Sequence, residues 1–117
     1  MNQSVNWLEE SSPLLIKLAS KIWDYAEPSL KEYKSASLLI DFLENQGFEI
    51  KKNVAGMPTA FVASFGSGKP VIAIMGEYDA LPGLSQKVSS AKEPLIVGGH
   101  GHGCGHNLLG VASAGAA

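Results

Sequence analysis

A chain of 117 residues with 11 acidic and 9 basic side chains, formal charge −2, is long enough for one modest domain with its own apolar core. Apolar residues make up 45% and charged ones 17%, which excludes wholesale disorder, and a single Cys excludes an internal disulfide scaffold. All nine basic residues are Lys, which with near-neutral charge argues against a nucleic-acid partner, and the longest unbroken apolar run, Val71 to Met75, is far below the ~20 residues a membrane helix needs.

Met1 to Glu10 is polar and acidic, without a basic-then-apolar leader pattern, so a cytoplasmic protein is expected. From Pro13, Leu14, Leu15, Leu18, Ile22 and Trp23 recur at three-and-four spacing and predict an amphipathic helix that Pro28 ends. Ser11 and Ser12 are its N-cap candidates, with Pro13 at a first helical position. A second helix is predicted from about Leu30 to Gln46, with Tyr33, Ala36, Ile40 and Leu43 on one stripe and Gly47 as its C′ residue. The character then turns to β. Phe48 to Val54 and Thr59 to Phe65 read as strands around the Gly56-Met57-Pro58 turn. Val71 to Met75, after the turn cluster Gly66 to Pro70, suits a strand covered on both faces. Ser85 to Glu93 reads as a surface loop, Leu95 to Val97 as a further short strand, and Asn107 to Ala112 as a helix capped by Asn107. No repeat or linker divides the chain. Its last residues are small and uncharged, which suits a helix covered by other elements, and nothing in the preceding sequence is free to cover it.

All three His and the only Cys lie in Gly99-His100-Gly101-His102-Gly103-Cys104-Gly105-His106. Imidazole and thiolate are the commonest transition-metal ligands, and alternation with Gly would present them on one side of an extended chain. The spacing is not that of a structural zinc finger. It fits part of an open site, with His100 a solvated loop residue. A non-enzymatic His/Cys metal-binding module is the competing reading, and a plain Gly/His loop the bland one. Phosphate cradling fails: no register supplies Gly at positions one, three and six, and Gly68-Lys69 is followed by Pro70 rather than Ser or Thr. The second constellation is Glu77 and Asp79, just past the apolar run and two apart, so both carboxylates can face one site or merely meet solvent.

These motifs together resemble a known family. Glu27-Pro28-Ser29-Leu30-Lys31-Glu32-Tyr33-Lys34-Ser35, Gly56-Met57-Pro58-Thr59-Ala60, the run from Gly66 to Gly83, and Gly101-His102-Gly103-Cys104-Gly105-His106-Asn107 are similar to the N-terminal part of the aminoacylase and carboxypeptidase-like metallohydrolases. The similarity is greatest to their amidohydrolase branch. The resemblance implies an α/β fold, residues 1–117 being the N-terminal portion of a three-layer α/β/α zinc-peptidase-like catalytic domain with a mixed sheet, truncated before the lid domain. It implies that Cys104 and His106 bind a divalent metal, Zn or Mn, and that Asp79 serves catalysis by orienting the site. Distant peptidase members carry a His where this chain has Glu77, so Glu77 and His102 stay open as metal contacts. The implied reaction is metal-assisted hydrolysis of an amide between an acyl or aroyl group and an amino acid such as glutamate, on a small acyl-amino acid or dipeptide-like substrate. The family's general base and a further His ligand are expected beyond Ala117. The implied full-length enzyme is a homodimer or hetero-oligomer, and this chain alone is expected to be inactive.

Overall fold

The computed structural model describes residues 3–117. Three helices and one hairpin follow in the order α1 (Gln3–Tyr25), α2 (Tyr33–Asn45), β1 (Glu49–Lys52), β2 (Phe61–Ser64) and α3 (His106–Ala116), with a 3₁₀ turn at Val54–Gly56 before β2.

The first helix is longer than its periodicity predicts. It includes Gln3–Tyr25, so Ser11 and Ser12 cap nothing and Pro13 lies inside it. Pro13 brings no N–H, so the Glu9 carbonyl has no helical partner there. Trp7, one of the residues ahead of Pro13, packs against the core and holds the extension in place. Leu18, Ala19 and Ile22 form the buried stripe, and Ile22 is wholly excluded from solvent.

α2 starts at Tyr33 rather than Leu30 and has a carboxylate at its head. Glu27 accepts the Lys34 and Ser35 backbone N–H groups and the Ser35 hydroxyl, each at 2.9 Å. Two otherwise orphaned donors of the first turn are thereby satisfied by a residue outside the helix, where negative charge also opposes the helix dipole. Ala36, Ile40 and Leu43 are buried as the stripe requires, whereas Tyr33 is exposed. The far end closes on Gly47 at φ +91°, with Phe48 N–H donating to Leu43 O and Gly47 N–H to Glu44 O at 3.1 and 2.9 Å. That pairing is the Schellman motif, and it needs the left-handed residue that Gly supplies.

β1 and β2 form an antiparallel pair with Ile50 opposite Ala63 and Lys52 opposite Phe61. Ile50, Phe61 and Ala63 turn inward against a core of Leu18, Ile22, Leu39, Phe42, Leu43 and Val111, while Glu49, Lys51 and Val62 face out. Among the described residues the fold is therefore α/β with a two-stranded antiparallel sheet.

Two predicted strands are not formed. Val71 to Met75 runs without helix or ladder, and Val71, Ile72 and Met75 are 85%, 83% and 87% exposed. Leu95 to Val97 is likewise outside any strand and exposed. Both sequences have strand character, but a strand exists only through a neighbour, and no described segment pairs with either. The Ser85 to Glu93 stretch is the expected surface loop, crossed by a Lys87–Glu93 ion pair of 2.6 Å between half-exposed side chains. α3 packs along α1 through Val111 and Ala114, with Leu108 and Leu109 left exposed. No described helix is long and apolar enough to cross a membrane.

Replacing Glu27 by Ala should cost about 1–2 kcal/mol, the usual worth of a helix cap. Chemical denaturation followed by far-UV circular dichroism would measure it, and an unchanged midpoint would show that water replaces the carboxylate.

Candidate metal centre

Glu77 and Asp79 both reach the His106 ring, whereas the Tyr78 side chain reaches Thr59. The His106 imidazole lies between the two carboxylates, Nδ1 2.8 Å from Asp79 Oδ1 and Nε2 3.1 Å from Glu77 Oε2. Glu77, Asp79 and His106 offer ligand atoms that all lie within 4.8 Å of one another. Two carboxylate oxygens and an imidazole nitrogen suit a divalent cation such as Zn²⁺ or Mn²⁺.

His106 is the first residue of α3. Asn107 does not cap the helix, contrary to the expectation. Gly105, left-handed at φ +82°, precedes the first turn, and its carbonyl accepts the Leu108 and Leu109 N–H groups at 2.9 and 3.1 Å. The helix then lies directly on the 75–78 backbone. A Cβ on Gly110 would come within 2.9 Å of the Glu77 carbonyl oxygen and 3.0 Å of Tyr78 Cβ, and one on Gly76 within 2.8 Å of Ser113 Cβ. Ser113 Oγ donates to Met75 O at 2.8 Å across the same contact.

The Tyr78 hydroxyl donates to the Thr59 carbonyl. The Thr59 hydroxyl donates to Glu32 Oε2 at 2.6 Å, and Glu32 Oε1 accepts the Leu30 N–H at 2.9 Å. Glu32 and Thr59 are both buried, so these bonds replace the water the groups have lost. They also support Leu30 in the left-handed region at φ +65°, unfavourable for a side chain of its size. Burial, followed by the nearby Glu32 carboxylate, pushes the Tyr78 hydroxyl up to about 12. In the sequence, Glu32 and Thr59 stand out only as members of the resembling stretches. A Glu three residues into a predicted helix reads as a solvated charge, and no local pattern says it will be buried under Thr59.

The remaining candidates separate. Cys104 is exposed, its Sγ 4.0 Å from the Asp79 carbonyl oxygen and outside the Glu77–Asp79–His106 group. His100 is exposed, as expected, and with His102 borders a pocket of about 380 Å³ that includes Trp23, Leu84 and Ile96 but none of Glu77, Asp79 or His106. His102 is buried against α1, its Nε2 3.0 Å from Ile22 O. Burial lowers its affinity for a proton, with the Ile22 carbonyl opposing and His106 adding to the effect. The alternation with Gly therefore does not present the four side chains on one side. A turn at 103–104 intervenes, and His106 already belongs to a helix.

No family model matches the sequence. Individual proteins do. Over 101 residues, 86% of this chain and 21% of the relative, it is 52% identical to a p-aminobenzoyl-glutamate hydrolase subunit of Escherichia coli. It is 34% identical to thermostable carboxypeptidase 1 of Saccharolobus solfataricus over 87% of the chain and 26% of the relative. It is 29% identical to Xaa-Arg dipeptidase of Mus musculus over 92% of the chain and 24% of the relative. The chain thus spans about a fifth to a quarter of the length of the curated relatives it matches.

The packing around residues 75–79 makes two measurable demands. Gly110→Ala gains helix propensity of about 1 kcal/mol but drives a methyl into backbone that cannot turn aside, so a net loss of about 1–3 kcal/mol is expected. Thermal unfolding would show it, and a stabilised variant would contradict the close approach. For Tyr78, the raised folded value means that its contribution is complete below pH 10, the ordinary tyrosine value, and is lost as pH climbs towards 12. Tyr78→Phe should flatten the fall in stability between those pH values, measured by urea unfolding at stepped pH. The motif-based resemblance holds across most of the sequence, and this chain is a relative of the amidohydrolase and carboxypeptidase family of hydrolases.

Proposed function

We propose that residues 1–117 carry part of the active site of a metal-dependent amidohydrolase, one that splits the amide between an acyl or aroyl group and an amino acid such as glutamate. One observation supports this above the others. Among the described residues, the Glu77, Asp79 and His106 cluster falls on the Gly76–Gly83 and Gly101–Asn107 motifs that carry the resemblance, within a sequence 52% identical to a p-aminobenzoyl-glutamate hydrolase subunit.

In this reading His106 and Cys104 hold a divalent metal, Zn²⁺ or Mn²⁺, with Glu77 as a further oxygen ligand. A bound metal would supply Lewis acidity towards the scissile carbonyl and lower the pKa of a water. The chain's own residues prepare that position. Asp79 Oδ1 accepts the His106 Nδ1–H at 2.8 Å, which fixes the ring's tautomer and orientation. Nε2 then faces Glu77 Oε2, where either a proton or a cation can sit between nitrogen and oxygen. Asp79 therefore acts by orienting an imidazole. Cys104 is exposed beside the Asp79 carbonyl, and a reducing cytoplasm would keep its thiol available.

The same reading places the described fold within a three-layer α/β/α domain whose mixed sheet takes in Val71 to Met75. The exposure of that apolar, unpaired run supports it. A small acyl-amino acid or dipeptide-like substrate, and an oligomeric full-length enzyme, fit a relative whose own name is that of a subunit. The general base and further ligands would come from outside residues 1–117. The competing metal-storage reading draws less support, because His100 and His102 stand apart from His106.

Titration calorimetry with Mn²⁺ or Zn²⁺ should give one site per chain, weakened about 10-fold or more by His106→Ala and by Asp79→Asn and unchanged by His100→Ala. Equal losses from His100→Ala and His106→Ala would favour the storage module instead. Incubated with p-aminobenzoyl-glutamate and metal, the 117-residue chain should release no glutamate. Turnover by this chain alone would refute the view that its site is incomplete.

A further inference from the structure

We infer that His102 and Asn107 are a pair of positioning residues that dock the Cys104–His106 segment onto α1 and so fix where His106 stands. The inference rests on the metal-site reading above for its functional meaning, though not for its geometry. The two residues bracket Cys104 and His106 along the chain, and both side chains reach the same helix. His102 Nε2 is 3.0 Å from the Ile22 carbonyl oxygen, and Asn107 Nδ2 donates to the Ala19 carbonyl at 3.2 Å. Ala19 and Ile22 are three residues apart, both buried, on the stripe of α1 that forms the core. The acceptors are thus among the least mobile groups in the fold.

A carbonyl oxygen can only accept, so the Ile22 bond requires hydrogen on His102 Nε2 and leaves Nδ1 as a lone pair in the neutral ring. That Nδ1 is buried with no hydrogen-bond partner among the described residues. An imidazole kept for packing alone would be a poor choice at a position only 7% exposed, since an apolar ring would fill it without an unsatisfied nitrogen. Its directed Nε2–H bond to α1 is what an apolar ring lacks. Asn107 repeats the logic, with a 7% exposed amide whose Nδ2–H donates to a helix carbonyl.

The bracket is reinforced behind and within. Gly101 and Leu81 exchange both backbone hydrogen bonds at 2.9 and 3.0 Å, two residues beyond Asp79, and Gly105 N–H donates to His102 O at 3.0 Å. Between these anchors Cys104 is exposed while His106 is held against Glu77 and Asp79. Helix α1, which contributes no ligand, thereby sets the height of the imidazole above the two carboxylates.

Two readouts on the full 117-residue chain test this. The first needs no metal: ¹⁵N-edited NMR of the His106 ring, whose Nδ1 proton bonded to Asp79 should give a distinct downfield signal. The second is Co²⁺ titration followed by visible absorption. His102→Ala should abolish or broaden the His106 signal and weaken Co²⁺ about 10-fold or more, with an altered spectrum. His102→Gln, which keeps an amide donor for Ile22 O, should restore the signal and most of the affinity. Asn107→Ala should act in the same direction and serves if His102→Ala does not fold. Folded variants that lower only the melting temperature, with ring signal and Co²⁺ spectrum unchanged, would overturn the proposal. So would failure of a folded His102→Gln to rescue, because His102 would then act through Nδ1. If the unsubstituted chain binds no Co²⁺, the metal reading fails, while the His106 ring signals still decide whether the bracket positions it.

Discussion

Everything in the site depends on how near α3 comes to the backbone of residues 75–78. His106 stands at the first position of that helix, and its ring reaches Glu77 and Asp79 only because Gly110, one turn on, puts no side chain between helix and strand. A larger residue there would lift the axis from the extended chain by a fraction of a side-chain radius. The imidazole, which has 2.8 and 3.1 Å contacts to keep, has no slack to follow. Gly in a helix interior ordinarily costs stability relative to Ala, so its presence marks a place where closeness matters more than propensity.

The same stretch is fixed from behind by polar bonds. Glu27 caps α2 with its carboxylate and accepts the Ala80 N–H with its carbonyl at 2.8 Å, so one residue ties the start of a helix to the end of the site strand. Glu32, Thr59 and Tyr78 make a second tie through the hairpin. Tyr78 reaches Thr59 while its two neighbours reach the imidazole, and anchoring it sets the rotation of the strand about its own axis. That rotation decides whether both carboxylates face the imidazole. A buried Glu32 is costly unless fully bonded, and two donors to its carboxylate meet the need. Glu27 and Glu32 hold backbone groups, whereas Glu77 and Asp79 meet the imidazole.

How much of this is legible in sequence divides by the range of the interaction. The α2 stripe apart from Tyr33, its Gly47 stop, the hairpin and the polar loop are set by neighbours within a few residues, and they stand where periodicity and turn chemistry place them. Nothing local connects Asp79 with His106, 27 residues away, and only the two motifs that carry the resemblance mark both positions in the sequence. The misses at Pro13, Asn107 and the Gly-His run have one origin. Pro13 marks a helix start by local rule, yet Trp7 finds the core and the helix runs through. Asn107 has the chemistry of a cap, but the Ala19 carbonyl takes its amide first. The Gly-His alternation implies an extended ribbon, while a turn and a helix start break it after Gly103. In each case a contact from a distant part of the chain outweighed a local preference.

Val71 to Met75 gives the last step. It is the longest unbroken apolar run in the chain, and it leads straight into Glu77 and Asp79. Yet its residues lie unpaired and exposed, fastened by α3 through the Ser113 to Met75 bond and by packing at Gly76. The backbone at residues 75–77 is held by α3 alone, whereas residues 78–81 are also bonded to Glu27, Thr59 and Gly101. Glu77 sits at that boundary with a side chain 67% exposed, against 22% for Asp79. A neighbouring strand along Val71 to Met75 would add a ladder of backbone bonds immediately ahead of Glu77. It would remove the freedom that now distinguishes the outer carboxylate from the inner one. On the proposed reading, a completed sheet would order Glu77 beside Asp79 and His106.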